Sequence, residues 1–143
     1  MRPWLQFMIR YSRYIWDPDV KVVAAAEKVV RVASPEELWW KRLVYKLKTE
    51  QGYDLIVHLV RIPPTEKWDI NWIDEPPPLA GVKLTVDIGT GKLETAQVCR
   101  PYHFEEEQQV VQEALKAEVS GNKATVAVPP FRYHTMVVLR VKK

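Results

Sequence analysis

A single cysteine, Cys99, excludes an intramolecular disulfide and argues against a cysteine-based metal site. Only five glycines occur in 143 residues, none in a phosphate-cradling loop, and there is no Gly-x-Ser-x-Gly nucleophile elbow. The three histidines, His58, His103 and His134, are isolated from one another and lack metal-ligand spacing, so neither a metal nor a cofactor is expected. No stretch approaches about 18 uninterrupted apolar residues, so no membrane-spanning helix is expected. No block of like charge stands out either. The 21 basic and 18 acidic residues are interspersed, and a formal charge of +3 hints only weakly at an anionic partner. Arg2, Arg10 and Arg13 punctuate the apolar N-terminus without a small-residue cleavage site, which speaks against a signal peptide.

What the chain does have is aromatic side chains, six of them Trp, and alternation. Residues 38–62 read as two extended arms around a polar loop, Thr49 to Gly52. Trp39, Leu43, Tyr45 and Leu47 share one face of the first arm; Tyr53, Leu55, Val57 and Leu59 share one face of the second. Period-two alternation in adjacent runs predicts a β-hairpin of half-buried strands, with Trp39 in the core.

Before it, Trp4, Met8, Tyr11 and Ile15 make a helical stripe over residues 4–16, ended by Asp17-Pro18, with Trp16 anchoring the helix end. A strand is expected at about residues 27–33, then at most one helical turn at Ser34-Pro35. After the hairpin, Val82, Leu84, Val86 and Ile88 alternate, and Gly89-Thr90-Gly91 turns the strand into a partner at about 93–99. Residues 103–112 are ambiguous. Gly121-Asn122 joins a further hairpin, and Thr135 to Val141 closes the chain. The expected fold is all-β: one domain over 1–143, with an N-terminal helix in 1–17 and an antiparallel sandwich of about eight strands in 20–143.

Catalysis finds little support. The loop carboxylates Asp17, Asp19, Asp69 and Asp74 could act as an acid–base pair on a glycosidic bond, but Asp in loops is commonly a turn residue. The Pro-rich segment 63–78 is more telling, because long irregular loops in compact domains are usually functional. There Trp68 and Trp72 flank Asp69 and Asn71, the composition of a sugar-stacking platform. Trp40, beside Arg42, is a further candidate contact. A plain alternative is that these Trp rings plug the loop onto the core. Aromatics interleaved with Lys41, Arg42 and Lys46 would also suit single-stranded nucleic acid, though the mixed charge ranks that third.

Arg10-Tyr-Ser-Arg-Tyr-Ile-Trp-Asp-Pro18, Leu38-Trp-Trp-Lys41, Val57-His-Leu-Val60 and Trp68-Asp69 follow one another in an order that resembles a known region. It is similar to the C-terminal β-sandwich that follows the catalytic barrel in glycoside hydrolases of the dextranase and cycloisomaltooligosaccharide glucanotransferase family. Val126-Ala-Val-Pro129 and Met136-Val-Val-Leu139 resemble how such domains close. Arg61 departs from the pattern, which has Asn there. The resemblance implies that residues 1–17 are the remnant of a barrel helix and that the catalytic residues lie outside this chain. It implies a non-catalytic accessory domain with a polysaccharide or oligosaccharide as ligand. The alternative is a structural module whose N-terminal helix docks to a catalytic domain or partner chain.

Overall fold

The computed structural model describes residues 3–61, 78–100 and 111–143, and the side chains of these other than residues 3, 4, 100 and 111. Two short helices, α1 (Pro3–Arg10) and α2 (Ser12–Ile15), lead into strands β1 (Val20–Val22), β2 (Val30–Ala33), β3 (Leu38–Trp39), β4 (Val44–Lys48) and β5 (Gly52–Arg61). Then come β6 (Val82–Asp87), β7 (Lys92–Arg100), β8 (Val111–Ala114), β9 (Ala117–Ser120), β10 (Lys123–Val128) and β11 (His134–Lys142). The larger sheet runs β1-β4-β5-β11-β7-β8, with β3 beside β5; the smaller runs β2-β6-β10-β9. Every pairing is antiparallel. The chain is an all-β sandwich, with eleven strands among the described residues where alternation counted about eight.

Between the sheets, Leu55, Val57 and Leu59 of β5 and Val137, Leu139 and Val141 of β11 meet Val82, Leu84 and Val86 of β6. Val126 of β10 completes this layer, and nearly all these side chains are fully buried. A second apolar layer lies on the outer face of the larger sheet. Ile56, Leu47, Cys99, Met136 and Val138 pack there under Phe7 and Tyr11 of the N-terminal helices. Sandwiched on both faces, β5 and β11 lose the half-polar alternation of an exposed sheet and read as unbroken apolar runs, Leu55-Ile-Val57 and Met136-Val-Val-Leu139.

Several expectations change. The first arm of the hairpin is broken: β3 and β4 both pair with β5, separated by a turn over residues 40–43. Leu38 and Val44 point into the sandwich, while Trp39, Tyr45 and Leu47 belong to the outer face. Trp39 is therefore not core; it is 58% exposed, because the helices that cover Tyr45 and Leu47 do not cover it. Trp16, expected to anchor the helix end, is likewise exposed: α2 ends at Ile15, and Asp17 accepts the Asp19 backbone N–H in a tight turn. The buried helical stripe centres on Phe7 and Tyr11, with the helix interrupted at Tyr11.

Ser34 forms no helical turn; its hydroxyl accepts the Glu36 N–H across a bend. The strand expected at 27–33 is a 3₁₀ turn, Ala26–Lys28, followed by β2. β6 and β7 are consecutive but do not pair: the Gly89 turn carries the chain from the small sheet to the large one. Ala96 and Val98 thus oppose β6 across the core rather than beside it. The Gly121 hairpin forms as expected, with Gly121 at φ 60°.

Candidate functional site

The end of the larger sheet where β5 finishes gathers the features of a binding site. Backbone pairing sets Trp39 (β3), Val60 (β5) and His134 (β11) in one cross-strand row on the outer face. One step along, His58 sits opposite Met136, and the His58 N–H donates to Leu43 O. A cavity of about 270 Å³ opens over these strands, floored by His58, His134 and Val60 and walled by Tyr14, Tyr45 and Ile15. Tyr133, also exposed, precedes β11, and its carbonyl accepts the Arg61 N–H at 2.9 Å.

Arg61 holds this end together. Its guanidinium donates to both carboxylate oxygens of Glu36, at 3.1 and 3.0 Å, and to the Arg132 carbonyl at 3.0 Å. The fork ties the segment before β3 to the end of β5 and fixes the strand that presents Trp39. Two parallel bonds to one carboxylate give Arg a defined orientation that Lys would not supply.

The two histidines, far apart in sequence, are in direct contact. His58 Nδ1 and His134 Nε2 lie 2.9 Å apart, with ring planes within 18° and centroids 5.2 Å apart. The rings therefore meet edge to edge, one nitrogen donating its N–H and the other accepting. Tyr45 stands edge-on to His58, and Phe7 edge-on to His134. Each ring shows one side to the cavity but is otherwise closely surrounded by protein. Desolvation lowers His58 from 6.5 to about 4. Desolvation, and then the neighbouring His58, lower His134 to about 3. As a hydrogen-bonded couple the rings titrate as a unit, and both are neutral near pH 7.

This has a consequence for stability. In the unfolded chain both imidazoles take up protons near the ordinary histidine pKa of about 6.5; the folded pair resists until far lower pH. Between those limits the unfolded state binds more protons, so stability rises with pH. Urea denaturation should show a plateau above about pH 7 and a loss as pH falls from about 6.5 towards 4, approaching about 1.4 kcal/mol per pH unit for each ring. His58→Leu/His134→Leu should flatten that slope. A slope unchanged in the double variant would mean that other groups set the acid sensitivity.

No group of three or more His, Cys, Asp or Glu able to hold a metal ion occurs among the described residues. Of the residues singled out from sequence, Trp40 is half-buried and packs against the sandwich core. Trp68, Asp69, Asn71, Trp72 and His103 lie outside the described residues. Alternation missed Trp39, Tyr133 and the histidine couple. The unbroken apolar run in β11 was the available signal that both its faces are covered, which makes His134 a floor residue rather than a turn residue.

No protein-family model matches the chain, and no curated protein does. Solved structures do. One is a cycloisomaltooligosaccharide glucanotransferase of Paenibacillus sp., in complex with cycloisomaltoheptaose. It aligns at 18% identity and a TM-score of 0.69, over 95% of this chain and 20% of that one. Another is the alpha-L-fucosidase isoenzyme 2 of Paenibacillus thiaminolyticus, at 16% identity and a TM-score of 0.56, over 82% of this chain and 16% of that one. The chain thus spans a fifth or less of the proteins it resembles. What it shares with these two glycoside hydrolase-related enzymes is the fold, a two-sheet sandwich that occupies a small part of each.

Proposed function

We propose that this chain is a non-catalytic accessory domain of a carbohydrate-active enzyme, and that it takes polysaccharide or oligosaccharide at the end of the larger sheet bearing Trp39. The observation that carries this reading is the alignment of 95% of the chain onto a fifth of a glucanotransferase. Trp39 and Tyr133 support it: both are exposed where β5 ends. Sugar rings present apolar C–H faces to aromatic side chains, and the tyrosines and histidines nearby supply hydroxyl partners.

The non-catalytic part rests on the state of the nearby titratable groups. Glu36 is committed to Arg61, and Asp54 of β5 is committed to Arg140 of β11. The lowered basicity of His58 and His134 makes them weak proton acceptors near neutral pH. A second face suits the attachment to a catalytic domain or partner chain. Leu5 and Ile9, four apart on α1, are 51% and 58% exposed and point away from the sheet that Phe7 and Tyr11 cover.

Titration with a panel of neutral glucans, isomaltooligosaccharides and cycloisomaltoheptaose, followed by Trp fluorescence and calorimetry, tests the ligand. Saturable binding is expected to at least one. Trp39→Ala should weaken it by about tenfold or more, equivalent to about 1.4 kcal/mol, while leaving the urea midpoint unchanged. A flat response across the panel would overturn the sugar-binding reading in favour of a structural module.

A further inference from the structure

A second cleft lies where β5 begins, at Gly52 and Tyr53. Its volume is about 670 Å³, and Lys21, Lys46, Lys48, Lys142 and Lys143 line it. Among the described residues, Asp19 and Glu50 are the only acidic ones on its wall. The surplus of three positive charges equals the formal charge of the whole chain, so the net charge that looked scattered in sequence is focused here. None of the five lysines makes an ion pair among the described residues. Lys21 donates to the Pro18 carbonyl, and Lys46 lies 4.1 Å from the centroid of the Tyr53 ring.

The strand register makes this concentration costly. Lys21 of β1 is directly opposite Lys46 of β4, and Lys142 of β11 is directly opposite Lys92 of β7. Like charges in facing positions of an antiparallel pair destabilise a sheet. The fold could avoid this with any neutral residue, since all four side chains are exposed. An anion seated between the strands would offset the repulsion.

We infer that this cleft binds an anionic polysaccharide, one carrying carboxylate or sulfate groups. The inference rests on the carbohydrate reading for the choice of a saccharide over other polyanions. Independent of that reading, the described lining offers no stacked aromatic platform of the kind that single-stranded nucleic acid uses, because Lys46 covers its one aromatic ring, Tyr53. Ammonium groups spaced along strand ends suit repeating, well-separated negative charges, and a volume of about 670 Å³ lies within the range of saccharide-sized ligand sites.

The test is a titration of the full chain with polygalacturonate, heparin, neutral dextran and a single-stranded DNA oligonucleotide, at low and high salt. Polygalacturonate or heparin should bind saturably and weaken as salt rises, and which one binds separates carboxylate from sulfate recognition. Lys46→Glu/Lys142→Glu should reduce that affinity by about tenfold or more and should not lower the urea midpoint, because each substitution replaces a facing like-charge pair with an opposite-charge one. Trp39→Ala should leave anionic binding unchanged. Neither anionic glycan binding, binding indifferent to the lysine reversals, or DNA binding as tight as the glycans would each overturn the inference. Neutral-glucan binding that depends on Trp39 would survive any of these outcomes, so failure here is distinguishable from failure of the accessory-domain reading.

Discussion

Arg140→Ala is expected to cost about 3 kcal/mol of folding stability, the low end of the range for breaking a buried ion pair. Asp54, its partner directly across the β5–β11 ladder, is wholly buried. Arg140 donates to both of its oxygens, Nε at 2.9 Å and Nη2 at 3.1 Å. The hydrogen bond and the charge of Asp54 push the guanidinium pKa still higher, so the arginine stays charged. Removing the arginine leaves a carboxylate with no counter-charge under the N-terminal helices, and Tyr14, whose own pKa Asp54 helps to raise, cannot replace it. The figure stays at the low end because the Arg140 side chain is 42% exposed, so water can reach into the site once it is gone.

Asp54→Leu/Arg140→Met should recover most of the loss, since apolar residues of similar size can replace a buried pair without penalty. Urea denaturation of the three proteins measures both effects. A loss below about 1 kcal/mol in Arg140→Ala would mean that solvent already satisfies Asp54, as at an exposed pair.

Asp54 also marks the limit of what alternation can convey. The inward set Tyr53, Leu55, Val57 and Leu59 was legible because side-chain direction in a strand has a period of two, and the structure places all four towards the sandwich. The opposite set, Asp54, Ile56 and His58, was not, because a face that mixes an acid, an aliphatic and a histidine carries the signature of a solvated surface. A helix from elsewhere in the chain buries it, and no local rule contains that contact. The break between Trp39 and Val44 was hidden for a similar reason: both pieces are extended, and only the shared partner β5 reveals that the register shifts between them. The histidine couple depends on residues 76 apart in sequence arriving on neighbouring strands. The lysine cleft likewise needs β1, β4 and β11 to end together, so its charge appeared dispersed when read along the chain.

The second large effect concerns whether the N-terminal helices belong to this domain or only wait for another. Phe7 is 2% exposed and packs against Tyr11, with ring centroids 5.0 Å apart, and edge-on against His134 at 5.6 Å. Tyr11 in turn donates its hydroxyl to Gln112 of β8, tying the helix to the far edge of the sheet. Phe7→Ala should therefore cost about 3–5 kcal/mol, the usual loss for a buried Phe that leaves a cavity behind. It should also admit water to His134, raising that ring's pKa towards its ordinary value, so that acid destabilisation weakens together with overall stability. NMR titration of the histidine ring protons reads the second effect independently of denaturation. Leu5→Ala or Ile9→Ala, on the outward face of the same helix, should change stability by no more than about 0.5 kcal/mol. That contrast divides the helix into an inward stripe that completes this sandwich and an outward pair free for another surface. If Phe7→Ala proved as mild as Ile9→Ala, the helix would be only loosely attached in solution, and its aromatic stripe would be better assigned to a partner than to the sheet beneath it.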